Sequence, residues 1–433
     1  MAGCSSAECW RHDTLNAKAA MGLALIVVVV TLATAMQPLG TDLYLAALPA
    51  IRNEYAAKVG VVQLTLAVLV FSFGLSQLLW GPAADRFGRR PVLLTGFLLY
   101  TAGAALGALA PGIEVLIAVR AMQGLGIAAT MVCGRAIVRD LFEQQRGTHV
   151  MTMAMSMLAF LTMLIPVTGA LLTEALGWRS TLWSMALCGV GGAVLVLLRV
   201  PETAPALKPD ALRLRPLFAG YARIARNPAF RSWTLLNSFG YAANFGFFSS
   251  SAYLFIETFR VTRVGFGLVI GGASITYLIG TMLCRRWIAA DGIVASVRRA
   301  GFLSLAAAAL LIVPQLADAH SPVTLTAGLW LMLLAYGIHQ PCGHVGMATP
   351  FPLQAGAASA LGGFVFAAAA FLCGTWMGLL YRSGSAAVLS LTTGVLAAST
   401  GVIALTLVQR HGRVQPCGPP HPESSILHFK GPS

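Results

Sequence analysis

The sequence predicts an all-α integral membrane protein with twelve transmembrane helices arranged as two six-helix bundles. Three observations carry this. Of 433 residues, 57% are hydrophobic and only 10% charged, with a mean hydropathy of +0.76, whereas about a quarter of the residues in a soluble domain are charged. Apolar runs of about 20 residues, each enough for a helix to cross a ~30 Å hydrocarbon core, recur along the chain. One polar, Pro-rich and basic stretch, PETAPALKPDALRLRPLFAGYARIARNP at 201–228, leaves six such runs before it and six after.

Taken in order, the runs lie at 22–49, 61–81, 92–110, 113–134, 149–173 and 180–199, then at 232–256, 264–284, 300–317, 323–348, 355–380 and 386–408. They are continuously apolar rather than alternating over about ten residues, which excludes a porin-like barrel. The expected organisation is a cytoplasmic tail at 1–20, a bundle at 21–200, a cytoplasmic linker at 201–231, a second bundle at 232–408 and a disordered cytoplasmic tail at 409–433. A six-plus-six plan suits alternating access around a site near the membrane midplane. Small residues within spans, such as Gly103 and Gly107 or Gly265, Gly267, Gly271 and Gly272, permit close helix contact.

The net charge of +14 raises the question of a nucleic-acid partner, but its placement answers against one. With the N-terminus inside, 22 Lys and Arg fall in cytoplasmic segments and 6 in periplasmic ones, with Arg120 inside the membrane. That asymmetry sets orientation, both termini inside, and Arg213, Arg215, Arg223 and Arg226 then lie near anionic headgroups. Arg11, Lys18 and the following apolar run ending in Ala33-Thr34-Ala35 have the outline of a signal peptide. The apolar pattern continues past the cut, so an uncleaved first span is the expectation. The eight cysteines show no metal-ligand spacing, and Cys4 and Cys9 fall in a cytoplasmic tail where disulfides rarely persist. No cofactor or metal is expected. The tail histidines His411, His421 and His428 are too dispersed to form a site. No Ser/His pairing, metal-ligand set or phosphate-binding Gly-Lys loop supports an enzyme.

Between the second and third spans runs GPAADRFGRRP, residues 81–91. A short turn with one acid, three arginines and two glycines can lock helix ends, Asp85 accepting from a helix N-terminus and pairing with arginine. A merely topogenic basic loop is the plain alternative. The stretch resembles the signature loop of the major facilitator superfamily, filled here by Gly81, Asp85, Arg86, Gly88, Arg89 and Arg90, and the counterpart CRRWIAADG at 284–292 is degenerate. LIAVRAMQGLGIAA (116–129) resembles the fourth-span motif of proton-coupled drug exporters. TDLYLAALPAI (41–51) and AGAASALGGF (355–364) resemble segments of the Bcr/CflA drug-resistance transporters, the group holding bicyclomycin and chloramphenicol exporters. With GWR (177–179) and PET (201–203), the likeness covers about 20–408. Departures are Ala46 in place of the group's proline, Pro341-Cys342 in place of Pro-Asn, and a span-five exporter signature reduced to Pro166 and Gly169, which weakens the argument for export direction.

Asp42 is the only acid well inside any span, and a charge there costs roughly 2.5–3.5 kcal/mol on insertion scales. Pro38 removes a donor and should kink the helix, and irregular backbone at this depth is tolerated where it lines a cavity. Asp42 and Arg120 lie at about the same depth from the periplasmic side, which predicts a charge pair facing a central cavity. The alternative is a static salt bridge between helices, and a buried ion pair is poor grounds for stability in itself. The resemblance implies proton antiport, with Asp42 as carrier. In such exporters a second acid one to two turns earlier binds cations. Thr34 stands at that position, which favours neutral or zwitterionic drugs. Tyr241, Asn244 and Phe248 recur at i, i+3 and i+7 in YAANFGFFSSSAYLF and could line a drug pocket or simply pack. His339 and His344, about 140° apart around a helix, are unlikely metal partners, and hydrogen-bonded packing is the default with proton relay the minority option.

The expected function is proton-coupled export of small drugs, phenicol- or bicyclomycin-like, across a bacterial inner membrane, with the small-molecule drug, protons and the lipid bilayer as partners and a monomer as the expected state. A transporter of the same fold carrying a sugar or purine, and a non-transporting membrane receptor, are the alternatives.

Overall fold

Residues 21–204, 207, 209–319, 321–380 and 386–412 are described in the computed structural model. The two expected tails, with Cys4, Cys9, His421 and His428, lie largely or wholly outside them. The chain begins with α1 (Leu23–Thr41), a 3-10 segment (Asp42–Ala47) and α2 (Leu48–Glu54). It continues through α3 (Val59–Phe87), α4 (Arg89–Ala108), α5 (Ile113–Leu141), α6 (Gln144–Leu176) and α7 (Arg179–Arg199). After the linker come α8 (Leu214–Ala225), α9 (Pro228–Ala252), α10 (Arg263–Leu316), α11 (Pro322–Ala348), α12 (Ala355–Leu380), α13 (Ala387–Leu405) and the short α14 (Leu407–His411). No strand occurs among the described residues.

Ten helical segments are long and apolar enough to cross a membrane. One of them, α10, is 54 residues long and contains two spans, joined at Gly292, whose φ of 81° breaks the helical run. The seventh span, α9, is diluted by serine and asparagine; it extends into a π-helical turn, Tyr253–Thr258. Counted so, the twelve expected spans are all present. Leu176, Leu187, Leu198, Leu316 and Leu379 stand outward as exposed apolar residues, a surface that only a hydrocarbon environment accommodates without aggregation.

Within the linker, Leu214–Ala225 is helical. Its apolar residues Leu217, Phe218, Tyr221 and Ile224 fall at helical spacing, with Arg215, Arg223 and Arg226 beside them, as in helices that lie at a membrane interface. The Tyr221 hydroxyl donates to the Leu78 carbonyl at 2.9 Å. Burial pushes this phenol up to about 12, so the donor persists across the physiological range.

The first six spans meet the last six through small residues. α3 packs on α12 and α6 on the first half of α10. A side chain on Gly60 would stand 2.6 Å from the Gly378 carbonyl, and one on Gly267 would lie 3.2 Å from the Pro166 carbonyl. Such contacts suit helices that must slide or rock, because no interlocking side chain has to be withdrawn.

Candidate transport site and its two ends

The first span breaks where its sequence predicts. Pro38 sits inside α1, and from Asp42 to Ala47 the chain tightens to 3-10 geometry before resuming as α2. Gly169, a remnant of the span-five signature, provides the room: a side chain there would strike the Leu43 carbonyl. Asp42 is half-buried. The Thr41 hydroxyl lies 2.7 Å from Asp42 Oδ1 and 3.1 Å from the Gln37 carbonyl, and donates to one of them. On the other half of the molecule, Tyr241 lies within electrostatic reach of the Asp42 carboxylate.

Arg120 is fully buried, but the expected charge pair with Asp42 is not formed. Its Nη1 donates to Gln123 Oε1 at 2.6 Å and its Nη2 to the Gly40 carbonyl at 2.5 Å. The guanidinium carbon stands 4.3 Å from the centre of the Tyr44 ring. Among the described residues no carboxylate lies within 4 Å of it. The depth estimate holds, since Arg120 reaches a backbone atom two residues before Asp42. The pairing fails because Gly40, having no side chain, lets the guanidinium take the backbone carbonyl next to the 3-10 segment, and because the Gln123 amide, the Tyr44 ring and the Met185 sulfur occupy its other sides.

The four cavity candidates separate. Tyr241 and Phe248 are partly exposed. Thr34 is buried and its hydroxyl is committed to the Val30 or Thr31 carbonyl, at 2.8 and 3.0 Å. Asn244 is also buried: its Nδ2 donates to the Gly240 carbonyl at 2.8 Å, and it lines a small, mostly apolar cavity within the second half together with Ser304, Met332, Tyr336, His339 and Thr400. His339 Nε2 is 3.0 Å from Ser304 Oγ, whereas His344 lies edge-on to Phe366 with ring centres 5.7 Å apart.

The GPAADRFGRRP stretch is two helices and one glycine. α3 runs through Phe87, Gly88 turns with φ 99°, and α4 starts at Arg89. Asp85 pairs with Arg89 at 2.7 Å, and Arg89 Nε reaches Asp140 at 2.8 Å. Glu202 accepts the backbone N–H groups of Arg89 and Arg90 at 2.8 and 3.2 Å, and those of Thr203 and Ala204. A carboxylate at a helix N-terminus satisfies orphan donors and complements the dipole. Arg90 Nη2 donates to the Leu197 carbonyl at 2.9 Å, Arg86 lies over the Phe87 ring at 5.3 Å, and space around Gly81 is open. The sequence reading missed Asp140 and Glu202; their signals were an acid within VRDLF and the PET quoted only as a likeness.

At the opposite end the halves are joined. Arg52 and Glu257 form an ion pair at 2.6 Å, and Gln63 Nε2 donates to Ser250 Oγ at 2.8 Å. Glu54 holds Arg179 and the Trp178 indole, both at 2.5 Å, so the GWR stretch ties α7 to α2. At the Asp85 end, by contrast, α5 and α11 barely touch, and Arg135 is exposed between them.

Comparison with known proteins adds four findings. The family model described as Major Facilitator Superfamily matches residues 30–374. A chloramphenicol resistance protein of Pseudomonas aeruginosa is 30% identical over 295 residues, covering 68% of this chain and 69% of its own. Multidrug resistance protein D of Escherichia coli K12 is 28% identical over 349 residues, covering 78% and 84%. Among solved structures, a D-xylose-proton symporter superposes with a TM-score of 0.69 at 14% identity over 88% of this chain and 97% of its own, a likeness of fold.

Proposed function

The chain belongs to the major facilitator superfamily and resembles its Bcr/CflA-type drug-resistance branch, and from that premise we propose that it is a proton-coupled antiporter exporting small neutral or zwitterionic drugs across a bacterial inner membrane. The observation that carries the proposal is Asp42: among the described residues a lone intramembrane acid, at a 3-10 break, with no cation paired to it there and within reach of Tyr241 on the opposite half. An acid held between two moving halves exchanges environment when they rock, and a change of environment is what drives proton uptake on one side and release on the other. Arg120 holds the backbone just before Asp42 and so positions it rather than neutralising it.

With the Asp85 loop on the cytoplasmic side, the joined end with Arg52 and Glu257 is periplasmic, and the conformation is open to the cytoplasm. The Asp85–Arg89–Asp140 and Glu202 network holds the hinge between α3 and α4. Both termini are cytoplasmic and the protein works as a monomer. The absence of an acid at Thr34 supports neutral or zwitterionic cargo. The test uses inside-out vesicles with a lumenal pH dye after an imposed acid-inside gradient: adding chloramphenicol should dissipate the gradient in vesicles bearing the protein and leave control vesicles unchanged. No drug in a phenicol, bicyclomycin and cationic-dye panel moving protons would overturn the reading.

A further inference from the structure

Arg135 is a cation that the coupling scheme leaves unused. It follows Met131 by one turn of α5, and its Nη2 lies 3.3 Å from the Met131 sulfur. The side chain is exposed and shares a helix face with Arg139, which reaches the second half of the molecule, the position of a group standing between the halves rather than against lipid. Among the described residues no carboxylate comes within 4 Å of it. Across the cleft, His344 on α11 lies within electrostatic reach.

Two further features mark the same place. Arg139, one turn on and with its Nε 3.7 Å from Asp140, turns its Nη1 toward the start of α12, 4.0 Å from where a side chain on Gly356 would begin. α12 starts at Ala355 with no acid in its first turn, so its dipole is not offset locally. Setting membrane orientation accounts for the charge of Arg135 but not for its placement inside the cleft, because an arginine serving only that role gains by facing headgroups.

We infer that this mouth binds the carboxylate of an amphiphilic substrate. Arg135 supplies a planar fork of donors, His344 a second donor, and Met131 an adaptable apolar contact. The inference rests on the export reading and adds to it: among drugs of like shape, those bearing a carboxylate are preferred over uncharged ones.

The probes are 2-naphthoate and 2-naphthamide, alike in ring and different in charge, titrated against the full-length protein in phosphatidylcholine nanodiscs at low salt. The wild type should prefer the acid by about tenfold, and added salt should shrink the preference. Arg135→Gln should cut it below about threefold and Arg135→Lys should keep part of it, since the charge survives and the fork does not. Equal wild-type affinity for acid and amide, or an undiminished preference in a folded Arg135→Gln, overturns the inference. Loss of naphthoate binding when phosphatidylglycerol is added to the discs would assign the site to lipid headgroups and overturn it too. The two readings fail separately. Chloramphenicol export without any acid preference removes only the carboxylate site, whereas an Arg135-dependent preference in a protein that exports no drug removes only the exporter.

Discussion

Arg120→Ala, alone and combined with Asp42→Asn, distinguishes an arginine that braces backbone from one that neutralises an acid. The truncation leaves the Gly40 carbonyl and Gln123 Oε1 without the donors now 2.5 and 2.6 Å away, at about 1–3 kcal/mol each. It also removes a desolvated cation–π contact with Tyr44, worth about 2 kcal/mol. Opposing this, the buried cation has no counter-charge, and its desolvation penalty, several kcal/mol, disappears with it. The net loss should be about 2–4 kcal/mol. Because Arg120 and Asp42 do not pair in this conformation and are linked only through the backbone at Gly40, their coupling in the double variant should stay below about 1 kcal/mol. Unfolding would be titrated in detergent micelles with a thiol-reactive dye, which the buried Cys133, Cys284, Cys342 and Cys373 report as they become accessible. A coupling above about 1.5 kcal/mol, the range of close charge pairs, would refute the bracing geometry and restore the ion pair.

Other substitutions test the two ends. Glu257→Gln removes the charge from an ion pair whose side chains are about 30% exposed, so stability should change by less than about 1 kcal/mol. The balance between open states should nonetheless shift, read as faster labelling of the thiol of Ser250→Cys, buried where the halves join; unchanged labelling argues against a gate. Glu202→Ala strips four backbone N–H groups of their acceptor and should cost about 1–3 kcal/mol, with slower turnover and unaltered drug affinity; lost affinity at normal turnover would contradict a hinge role. Gly169→Val should abolish export by displacing the 3-10 segment at Leu43, and full export by that variant would show the contact to be dispensable.

Much of the fold was readable because membrane spans announce themselves by length and continuous apolarity. The kink at Pro38 was readable because proline cannot donate, and the Asp85 turn because glycine and charge punctuate it. α8 was not: its twelve residues, with Arg215, Pro216 and Arg223 among them, are short and flanked by further prolines and arginines, and so read as linker. Their helix is an interface structure whose apolar face only packing and membrane reveal. The boundary of the seventh span was blurred by Asn244 and the serines, which dilute its hydropathy. The partners of the site residues were the least legible part. Arg120 binds a carbonyl 80 residues away and Glu202 caps a helix start 113 residues away, and neither pairing leaves a periodic trace in the chain. Sequence gave depth along a helix but not the direction in which a side chain points, and for Arg120 that direction decided between Asp42 and Gly40. The same gap separates Asn244, inside the second half, from Tyr241 and Phe248.

The central claim is that Asp42 couples the drug to the proton, and proteoliposomes holding wild type or Asp42→Asn test it most directly by comparing two activities of each protein. One is accumulation of labelled chloramphenicol driven by a pH gradient; the other is exchange of labelled for unlabelled drug with no gradient, which needs the halves to rock but no net proton movement. The account predicts that the wild type performs both and that Asp42→Asn keeps exchange while losing gradient-driven accumulation. Accumulation by Asp42→Asn at the wild-type rate would contradict it.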